Sequence, residues 1–592
     1  MIIKISKRFG LCFALAAGIF SATQLQAQEW QNEIASDSNF FEIRKAFDQE
    51  FVAPEEEEDG DNEQFNRWAH IIGPRVADNN GKPFPPDIIY TEWKKFMSKP
   101  MPSVRGKNGS WSYAGPKTTP TRGGGNGRIN CFEFDPTNTD IMWAGTPAGG
   151  LWKSMNGGKT WETNTDNLPN LGVTDILINP RNTDTMYIAT GDGFGYSIGN
   201  GNFWGGTYSM GVLRSTDGGK TWAETGLNWK RNETRQIYKM VLQPNDPNTI
   251  YATTNTGIWK SVNAGKDWIM LIGGSGYKDL LFHPTKTGLL LATSSNSIII
   301  STNFGETWKS SQILPQLPSM RGIVLAVAPG ADSVMYALCC SSTNNGSVYK
   351  SEDYGFTWNQ TPGFISTTFQ GWYDLALGVS PKDPNQVIIG GLDIMKTYDG
   401  GQSWTTITDW YNWQFSNYVH ADQRAVIYYP GSNDSFIVIN DGGIFRTTTS
   451  GTTWSNIASN ISVLQFYKIG SMPSNDGIIF GGAQDNGINR GKAGVWSQVM
   501  GADGMEVVAS HQNPNVVYAA SQNGNLQKST NGGTNFFQYV APTSGSWLTP
   551  VEMDMSDADM LYFGSKHLYR TLDGGKQWTD LTPTLNVGGD IT

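Results

Sequence analysis

Short apolar runs alternate with turn-forming residues along most of the chain. A typical unit holds an apolar run, a proline-containing turn and a second run ending in Ala-Thr or Thr-Thr, as in residues 176–190 and 240–254. A third run of the Leu-Trp-Lys-Ser type follows, and then a polar turn that ends in Trp. Apolar runs of about four to eight residues bounded by Pro, Gly, Asn and Asp are typical of β-strands. Each unit therefore predicts four short antiparallel strands, labelled a to d in chain order.

The polar turn between strands c and d repeats the pattern Ser/Thr-x-Asp/Asn-x-Gly-x-Thr-Trp, which we call the box. Ten copies run from 154–161 to 571–578, of which 447–454 and 489–496 are degraded. The 417 residues from Ser154 to Thr571 hold nine intervals, so the period is about 46 residues. A fixed period of roughly 20–50 residues with four strands per repeat is typical of a β-propeller. The sequence thus predicts an all-β fold in which each repeat is one blade.

The box residues have a structural interpretation. An Asp or Asn side chain can accept backbone N–H bonds within the turn, and Gly can adopt a positive φ. We therefore expect turn-stabilising rather than catalytic roles for the acidic and amide residues of the eight well-preserved boxes: Asn156, Asp217, Asn263, Asn303, Asp353, Asp399, Asn531 and Asp573.

Composition supports an all-β protein and excludes other classes. Charged residues are 16% of the chain, the formal net charge is −10, and there are 69 Gly and 22 Trp. A coiled coil would be rich in charged residues and Ala, and a nucleic-acid binder needs a basic face. We expect neither a nucleic-acid partner nor a cofactor.

The N-terminus predicts export. Lys4, Lys7 and Arg8 precede an apolar run at 9–22, and 25–27 reads as a cleavage site, so residues 1–27 are predicted to be a signal peptide. After its removal no membrane span is expected, and the predicted location is extracellular or at the outer-membrane cell surface, with export machinery as a partner. Three cysteines then remain, and adjacent Cys339 and Cys340 form either a vicinal disulfide or, as we favour, part of a buried strand.

Residues 28–107 carry no box and form a predicted N-terminal arm. Residues 39–51 have apolar positions at helical spacing, 89–97 predict a second helix, and the acidic run 55–59 predicts a solvated loop. The glycine-rich segment 123–128 is not a phosphate loop, because it lacks the Lys-Ser/Thr pair and precedes a strand.

The boxes resemble those of the Asp-box (BNR) propellers over roughly residues 108–592. That group includes sialidases, xyloglucanase-type hydrolases with two tandem seven-bladed rings, and the ten-bladed sortilin type. The arm, the boxes and the glycine-rich segment together resemble large surface proteins exported by the type IX route in Bacteroidota. The resemblance implies a propeller but says little about activity.

Ten boxes exceed one seven-bladed ring. We expect a first propeller of about seven blades at 108–462 and the start of a second, incomplete one at 463–592, opened by the weak box at 489–496. A single ten-bladed ring is the alternative.

The b–c loops and the loops entering each strand a share the rim that lacks boxes, so function is expected there. This rim holds aromatic and polar residues that turn formation does not require, and aromatic faces stack on sugars while carboxylates bind hydroxyls. The ligand-binding candidates are Asp192, Tyr196, Trp204, Tyr208, Trp413, His420, Asp422, Gln484 and Asn486, and the catalytic candidates are Asp441 and Asp485. The alternative is that these are ordinary turn residues.

Two enzyme templates can be compared with these residues. No arginine-triad strand of the sialidase type precedes the boxes. Resemblance to the xyloglucanase type implies two catalytic acids. The first would lie in the first blade, but Pro147 stands at that position and cannot transfer a proton. The second would lie near Asp485. His420 and Asp422 are weak metal candidates.

The sequence therefore favours a secreted, cell-surface propeller that binds glycans or proteins without catalysis. One alternative is a glycoside hydrolase acting on a polysaccharide in a cleft between two rings. A sortilin-like peptide-binding propeller is the third hypothesis. The expected partner is a polysaccharide or a surface protein.

Overall fold

The computed structural model describes residues 39–50, parts of 65–98, and 113–585 with short gaps at 195, 199–201, 205–206, 275, 316–319, 332, 342–343, 372 and 473–476. The predicted signal peptide and the acidic run lie outside the described residues. The chain divides into two compact units, Met1–Glu92 with Gly195–Gly205, and Trp93–Phe194 with Gly206–Thr592.

The first unit contains the predicted helix α1 (Phe40–Glu50), a 3-10 turn (Gly73–Arg75) and the first half of the predicted helix α2 (Ile88–Met97). Apolar residues of α1 at positions i, i+3 and i+7 form one face, as in other amphipathic helices. Their buried side chains cluster with Phe65 and Val76, and the rings of Phe47 and Phe65 stack at 3.6 Å. This unit also holds a hairpin of β7 (Tyr196–Ile198) and β8 (Asn202–Trp204), where the sequence predicted a loop.

The remaining described strands form ten sheets, which we number in chain order. Sheets 1 to 5 comprise β1–β4 (Cys131–Asp135, Asn138–Gly145, Leu151–Ser154, Glu162–Thr163); β5, β6, β9 and β10 (Val173–Ile178, Met186–Thr190, Gly211–Ser215, Ala223–Asn228); β11–β14 (Ile237–Gln243, Asp246–Thr254, Gly257–Ser261, Ile269–Gly273); β15–β18 (Asp279–Phe282, Leu290–Thr293, Ile298–Ser301, Lys309–Ser310); and β19–β23 (Gln312–Leu314, Met320–Val327, Met335–Ser341, Gly346–Ser351, Thr357–Gln360).

Sheets 6 to 10 comprise β24–β27 (Ala376–Val379, Val387–Gly390, Ile394–Thr397, Thr405–Thr406); β28–β31 (Ala425–Tyr428, Phe436–Asn440, Gly443–Thr447, Ser455–Asn456); β32–β35 (Phe466–Ser471, Ile478–Ala483, Gly487–Lys492, Val495–Met500); β36–β39 (Gly504–Ala509, Val517–Ser521, Asn525–Ser529, Gln538–Tyr539); and β40–β43 (Val551–Met553, Leu561–Gly564, Leu568–Thr571, Thr579–Asp580). A short helix, α3 (Thr582–Leu585), follows. Within each sheet neighbouring strands pair antiparallel, except that β19 pairs parallel with β23. The predicted four strands per repeat are found in nine of these ten sheets, and sheet 5 carries β19 as a fifth strand.

Apolar side chains fill the spaces between consecutive sheets. Separate clusters join sheets 1 and 2, 2 and 3, and so on to 6 and 7, and two more join sheets 8 with 9 and 9 with 10. A further cluster joins sheet 1 to sheet 7, where Phe132 and Trp161 pack with Ile437 and Ile457. Sheet 7 thus returns to sheet 1, and sheets 8 to 10 continue beyond that contact.

The box turns share one hydrogen-bonding scheme. The Ser or Thr hydroxyl accepts the N–H of the Gly four residues later at 2.8–3.1 Å, from Ser154 to Thr571. In the second sheet Asp217 accepts the N–H of Thr221 at 2.9 Å and its hydroxyl at 2.6 Å. These bonds from Thr221 hold the pKa of the Asp217 carboxyl below its ordinary value.

The weak box at 489–496 is not a box turn. Strands β34 and β35 meet at a two-residue turn, with Lys492 opposite Val495 and positive φ values at Ala493 and Gly494. This turn type matches the twist of a hairpin and lets β35 run for six residues. The eighth sheet therefore ends in a longer edge strand than most other sheets.

Cys131, Cys339 and Cys340 are buried and free, as favoured from the sequence. Among the described helices none is long and apolar enough to cross a membrane.

Candidate active site

Buried charged residues from four sheets meet on the rim that carries the b–c turns. Arg128 precedes sheet 1 and forms an ion pair with Asp192, which follows β6 of sheet 2. Arg424 precedes β28 of sheet 7 and donates from Nε to Oδ1 of Asp441 at 3.0 Å. Tyr373 precedes sheet 6, donates its hydroxyl hydrogen to Asp441 and stacks under the Arg424 guanidinium at 3.8 Å. We call these five residues the charged cluster.

Burial shapes the electrostatics of the charged cluster. All five residues are less than 9% exposed, and burial raises the pKa of the Asp441 carboxyl although the positive charge of Arg424 opposes the shift. Burial also raises the pKa of the Tyr373 hydroxyl well above its usual range, so it remains a hydrogen-bond donor. Burial alone would lower the pKa of Arg128, but the charges of Asp192 and Asp441 together with the contact to Tyr373 outweigh burial and raise that pKa. The cluster pairs two guanidinium groups with two carboxyl groups.

Asp485 differs from Asp441 because it is partly exposed. It lies between β33 and β34 of sheet 8, in a left-handed conformation with φ of 56°. Its backbone N–H donates to Asp503, and its carbonyl oxygen lies 2.9 Å from His420 Nε2. One carboxylate oxygen accepts a hydrogen bond from Gln484 at 3.0 Å. The backbone of Asp485 is therefore held at two points, by Asp503 and His420, while its side chain is partly exposed.

Asn486 joins the two candidate acids. Its side-chain amide donates to the carbonyl oxygen of Asp441 at 3.1 Å and to that of Gln484 at 2.9 Å. Its amide oxygen accepts the N–H of Gly125 at 3.0 Å. Asn486 is 2% exposed, so these bonds replace its contacts with water. The b–c turns of sheets 7 and 8 are thereby held together by one side chain.

An aromatic loop lies beside these turns. In the segment that connects sheets 6 and 7, Trp410, Tyr411, Trp413 and Phe415 are 37–76% exposed. The same segment leads to His420, which contacts Asp485. We call residues 409–418 the aromatic loop; it exposes four aromatic side chains within six positions, and exposed apolar patches often mark binding sites.

The other sequence candidates have different surroundings. Tyr196 and Trp204 are cross-strand partners in the hairpin of the first unit, whereas Asp441 and Asp485 belong to the second unit. The carbonyl oxygen of Tyr208 accepts a bond from Asn170 at 2.8 Å. Asp422 is partly exposed and has φ of 66°. Both ring nitrogens of His420 lie within 3.3 Å of carbonyl oxygens, and in the described part of the chain no three His, Cys, Asp or Glu residues are grouped to hold a metal.

Sequence reasoning missed Arg128, Tyr373 and Arg424. Each lies within three residues before a first strand, on the rim where function was expected, but the candidates chosen there were aromatic, acidic and amide residues and one histidine. One usable signal was Arg424, which enters strand β28 only two residues after Asp422 in a chain that has few charges. Pro147, at the position where the resemblance implies an acid, is buried in the turn between β2 and β3.

No family model matches the chain. A xyloglucanase of Hypocrea jecorina is 24% identical over 354 residues, which are 50% of this chain and 41% of that protein. A xyloglucanase of Acetivibrio thermocellus is 26% identical over 338 residues, which are 49% of this chain and 39% of that protein. The chain therefore spans about two fifths of the length of these relatives.

The crystal structure of a xyloglucanase from Xanthomonas campestris has a TM-score of 0.59 with 17% identity, covering 78% of this chain and 74% of that one. This likeness confirms the β-propeller fold. The prediction of a propeller that binds glycans or proteins without catalysis is wrong against these comparisons, because the curated relatives are enzymes and support a glycoside hydrolase. Sequence reasoning weighed the missing acid at Pro147 too heavily.

Proposed function

We propose that this chain is a glycoside hydrolase that cleaves a polysaccharide, with xyloglucan as the first candidate, at the rim formed by the b–c turns of sheets 7 and 8. The observation that carries the proposal is Asp485, a partly exposed carboxylate whose backbone is fixed by Asp503 and His420. The names of the curated relatives support the substrate class.

We assign the acid–base role at the scissile bond to Asp485. Glycoside hydrolysis uses two carboxylates, and a group that transfers a proton must reach the substrate. Asp441 is 1% exposed and its carboxyl is enclosed by Arg424 and Tyr373, so it holds the charged cluster together rather than touching a sugar. Asp422 is partly exposed and lies two residues from His420, which supports it as the second carboxylate.

The aromatic loop supplies the binding surface in this proposal. Sugar rings present C–H faces that pack on aromatic side chains. Trp413 and Tyr411 are exposed by 44% and 76%, and the loop leads directly to His420 and Asp422. We expect these side chains to contribute to binding, so their loss raises KM more than it lowers kcat.

The domain organisation and export are part of the same proposal. The apolar contact of sheets 1 and 7 supports a ring of seven blades in 108–462, with sheets 8 to 10 belonging to a second propeller that begins near 463. The hydrogen bonds of the box turns support membership of the Asp-box propellers. Secretion through a signal peptide at 1–27 stays a prediction.

The test is release of reducing ends from xyloglucan, with xylan and carboxymethylcellulose as comparison substrates. Asp485→Asn and Asp422→Asn should each lower kcat by about 10²–10⁴-fold, the usual contribution of a general acid or base, without unfolding the protein. Asp217→Asn is a matched control. The box at 154–161 already has Asn156 at the position equivalent to Asp217, so this variant should leave turnover intact. A wild-type protein that binds xyloglucan but releases no reducing ends would refute the proposal.

A further inference from the structure

The segment at 120–128, which we call the strap, extends the edge of sheet 8. Thr121 forms a parallel bridge with Ser497 of β35. The carbonyl oxygen of Thr121 accepts the N–H of Gln498 at 3.0 Å, and the N–H of Thr121 donates to the carbonyl oxygen of Trp496 at 3.1 Å. Arg122 then donates to the carbonyl oxygen of Thr534, in the box turn of sheet 9, at 3.0 Å. The beginning of the strap is therefore attached to the sheets that follow the ring.

The middle of the strap lies against the two turns of the candidate site. The N–H of Gly125 donates to Asn486, and the N–H of Asn126 donates to the carbonyl oxygen of Gly442 at 2.9 Å. The hydroxyl of Tyr418, in the aromatic loop, donates to Gly123 at 2.8 Å. One short segment thus contacts the Asp441–Gly442 turn, the Asp485–Asn486 turn and the aromatic loop.

The end of the strap enters sheet 1. Arg128 forms the ion pair with Asp192, and the N–H of Ile129 donates to the carbonyl oxygen of Asn440 at 3.1 Å. The strap is therefore anchored on both sides of the candidate site, in the charged cluster and at the edge of sheet 8.

Close approach explains the glycine at position 125. A Cβ on Gly125 would lie 2.5 Å from Gly442 Cα and 2.2 Å from Asn486 Oδ1. Backbone atoms cannot yield as a flexible side chain can, so any larger residue must push the Gly442 turn away from the strap. By contrast, a Cβ on exposed Gly501, which also lies near Asp503, would meet no atom within 4 Å.

We propose that the strap is a positioning element that sets the placement of Asp485 relative to the ring, with Gly125 and Asn486 as its positioning residues. This inference rests on the proposed function, because it concerns the same carboxylate. Neither residue need touch the substrate. Asn486 transmits the position of the strap to both turns, since it bonds Gly125, Asp441 and Gln484 at once. The glycine-rich segment noted in the sequence is thereby given a role.

The experiment compares Gly125→Ala with Gly501→Ala in the full chain. Misplacement of a catalytic group by about 1 Å can cost about a hundredfold in rate. We expect Gly125→Ala to lower kcat on xyloglucan about a hundredfold with KM changed less than about threefold, while Gly501→Ala matches the wild type. Asn486→Ala removes all three bonds and should likewise lower kcat more than it changes KM.

Hydrogen exchange gives a readout that does not depend on turnover. Gly125→Ala should speed exchange in 440–443 and 484–487 but not in sheet 3, whereas Gly501→Ala should change neither. Unchanged exchange in both turns, or wild-type kcat in Gly125→Ala, would overturn the inference. If the wild type cleaves no polysaccharide while the exchange pattern appears as expected, the proposed function fails and the role of the strap in joining the turns stands.

Discussion

Two kinds of contact hold neighbouring sheets together in this molecule. From sheet 1 to sheet 7 and back to sheet 1, each pair shares an apolar cluster. Between sheets 7 and 8 the structure instead shows directional bonds, from Asn486 to Asp441 and from His420 to Asp485, with the strap alongside. Apolar burial stabilises without fixing orientation, whereas hydrogen bonds between buried groups specify position. The candidate site lies where the second kind replaces the first.

The largest effect should come from breaking the apolar closure of the ring. Trp161 is 2% exposed, packs between sheets 1 and 7 and donates from Nε1 to the carbonyl oxygen of Ile457 at 2.8 Å. Trp161→Ala should cost about 3–5 kcal/mol, because it leaves a cavity and an unpaired carbonyl group. Urea unfolding measures the change. Trp410→Ala, which removes an exposed Trp of the aromatic loop, should cost much less; equal costs would contradict the assignment of Trp161 to ring closure.

A somewhat smaller effect is expected from the charged cluster. Asp441→Asn keeps an acceptor for Tyr373 but leaves the buried Arg424 guanidinium without its counter-charge. Removing one member of a buried ion pair typically costs 3–5 kcal/mol, and the retained hydrogen bond should place this variant near about 3 kcal/mol. The measurement is again urea unfolding, beside Asp485→Asn, whose partly exposed side chain should cost little stability.

Comparing Asp441→Asn with Asp485→Asn distinguishes a structural carboxylate from a catalytic one on the same rim. If Asp441→Asn were as stable as the wild type and inactive, Asp441 would be a catalytic residue and our assignment would be wrong. If Asp485→Asn unfolded the protein, Asp485 would belong to the structural cluster instead.

Sequence reasoning reached the repeat more easily than the site, for a physical reason. Each box is a local turn whose partners lie within four residues, so Ser215 and Asp217 show their role in the sequence itself. The apolar strand pattern is equally local. The charged cluster depends on contacts such as Arg128 with Asp192 and Tyr373 with Asp441, which are 64 and 68 residues apart. No spacing rule connects such residues before the ring is closed.

The candidate acids show where prediction was partly possible. Asp441 and Asp485 were both chosen because they stand in b–c turns, but the sequence does not show that one is enclosed by Arg424 and the other reaches the surface. The sequence shows the strap as a glycine-rich segment. Its proposed positioning role, however, depends on contacts with Gly442 and Asn486, which lie more than 300 residues later in the chain.

The smallest expected effect concerns a polar group within the ring itself. Glu133 lies in β1, opposite Trp143, and its carboxyl feels the charges of Lys239 and Asp175. Burial raises the pKa of Glu133 from 4.5 to about 7. The charge of Asp175, together with Glu133, raises the pKa of Lys239 above its usual range, so Lys239 stays positive throughout the range tested. The charge of Glu133 is therefore expected to change near neutral pH.

The sign of this effect follows from proton linkage. Because the folded state holds the Glu133 proton more tightly than the unfolded state, stability should fall as pH rises from about 4.5 to about 7 and change no further above that. Glu133→Gln removes the titration, so the variant should gain at most about 2–3 kcal/mol relative to the wild type between pH 5 and pH 8. Glu162→Gln, an exposed glutamate in β4 of the same sheet, is the matched control and should follow the wild type at every pH. A constant difference between Glu133→Gln and the wild type would show that the ring accommodates this charge without cost. In that case the ring and the contact between sheets 7 and 8 would tolerate buried charges equally well. The two regions would then differ only in where their charged groups lie.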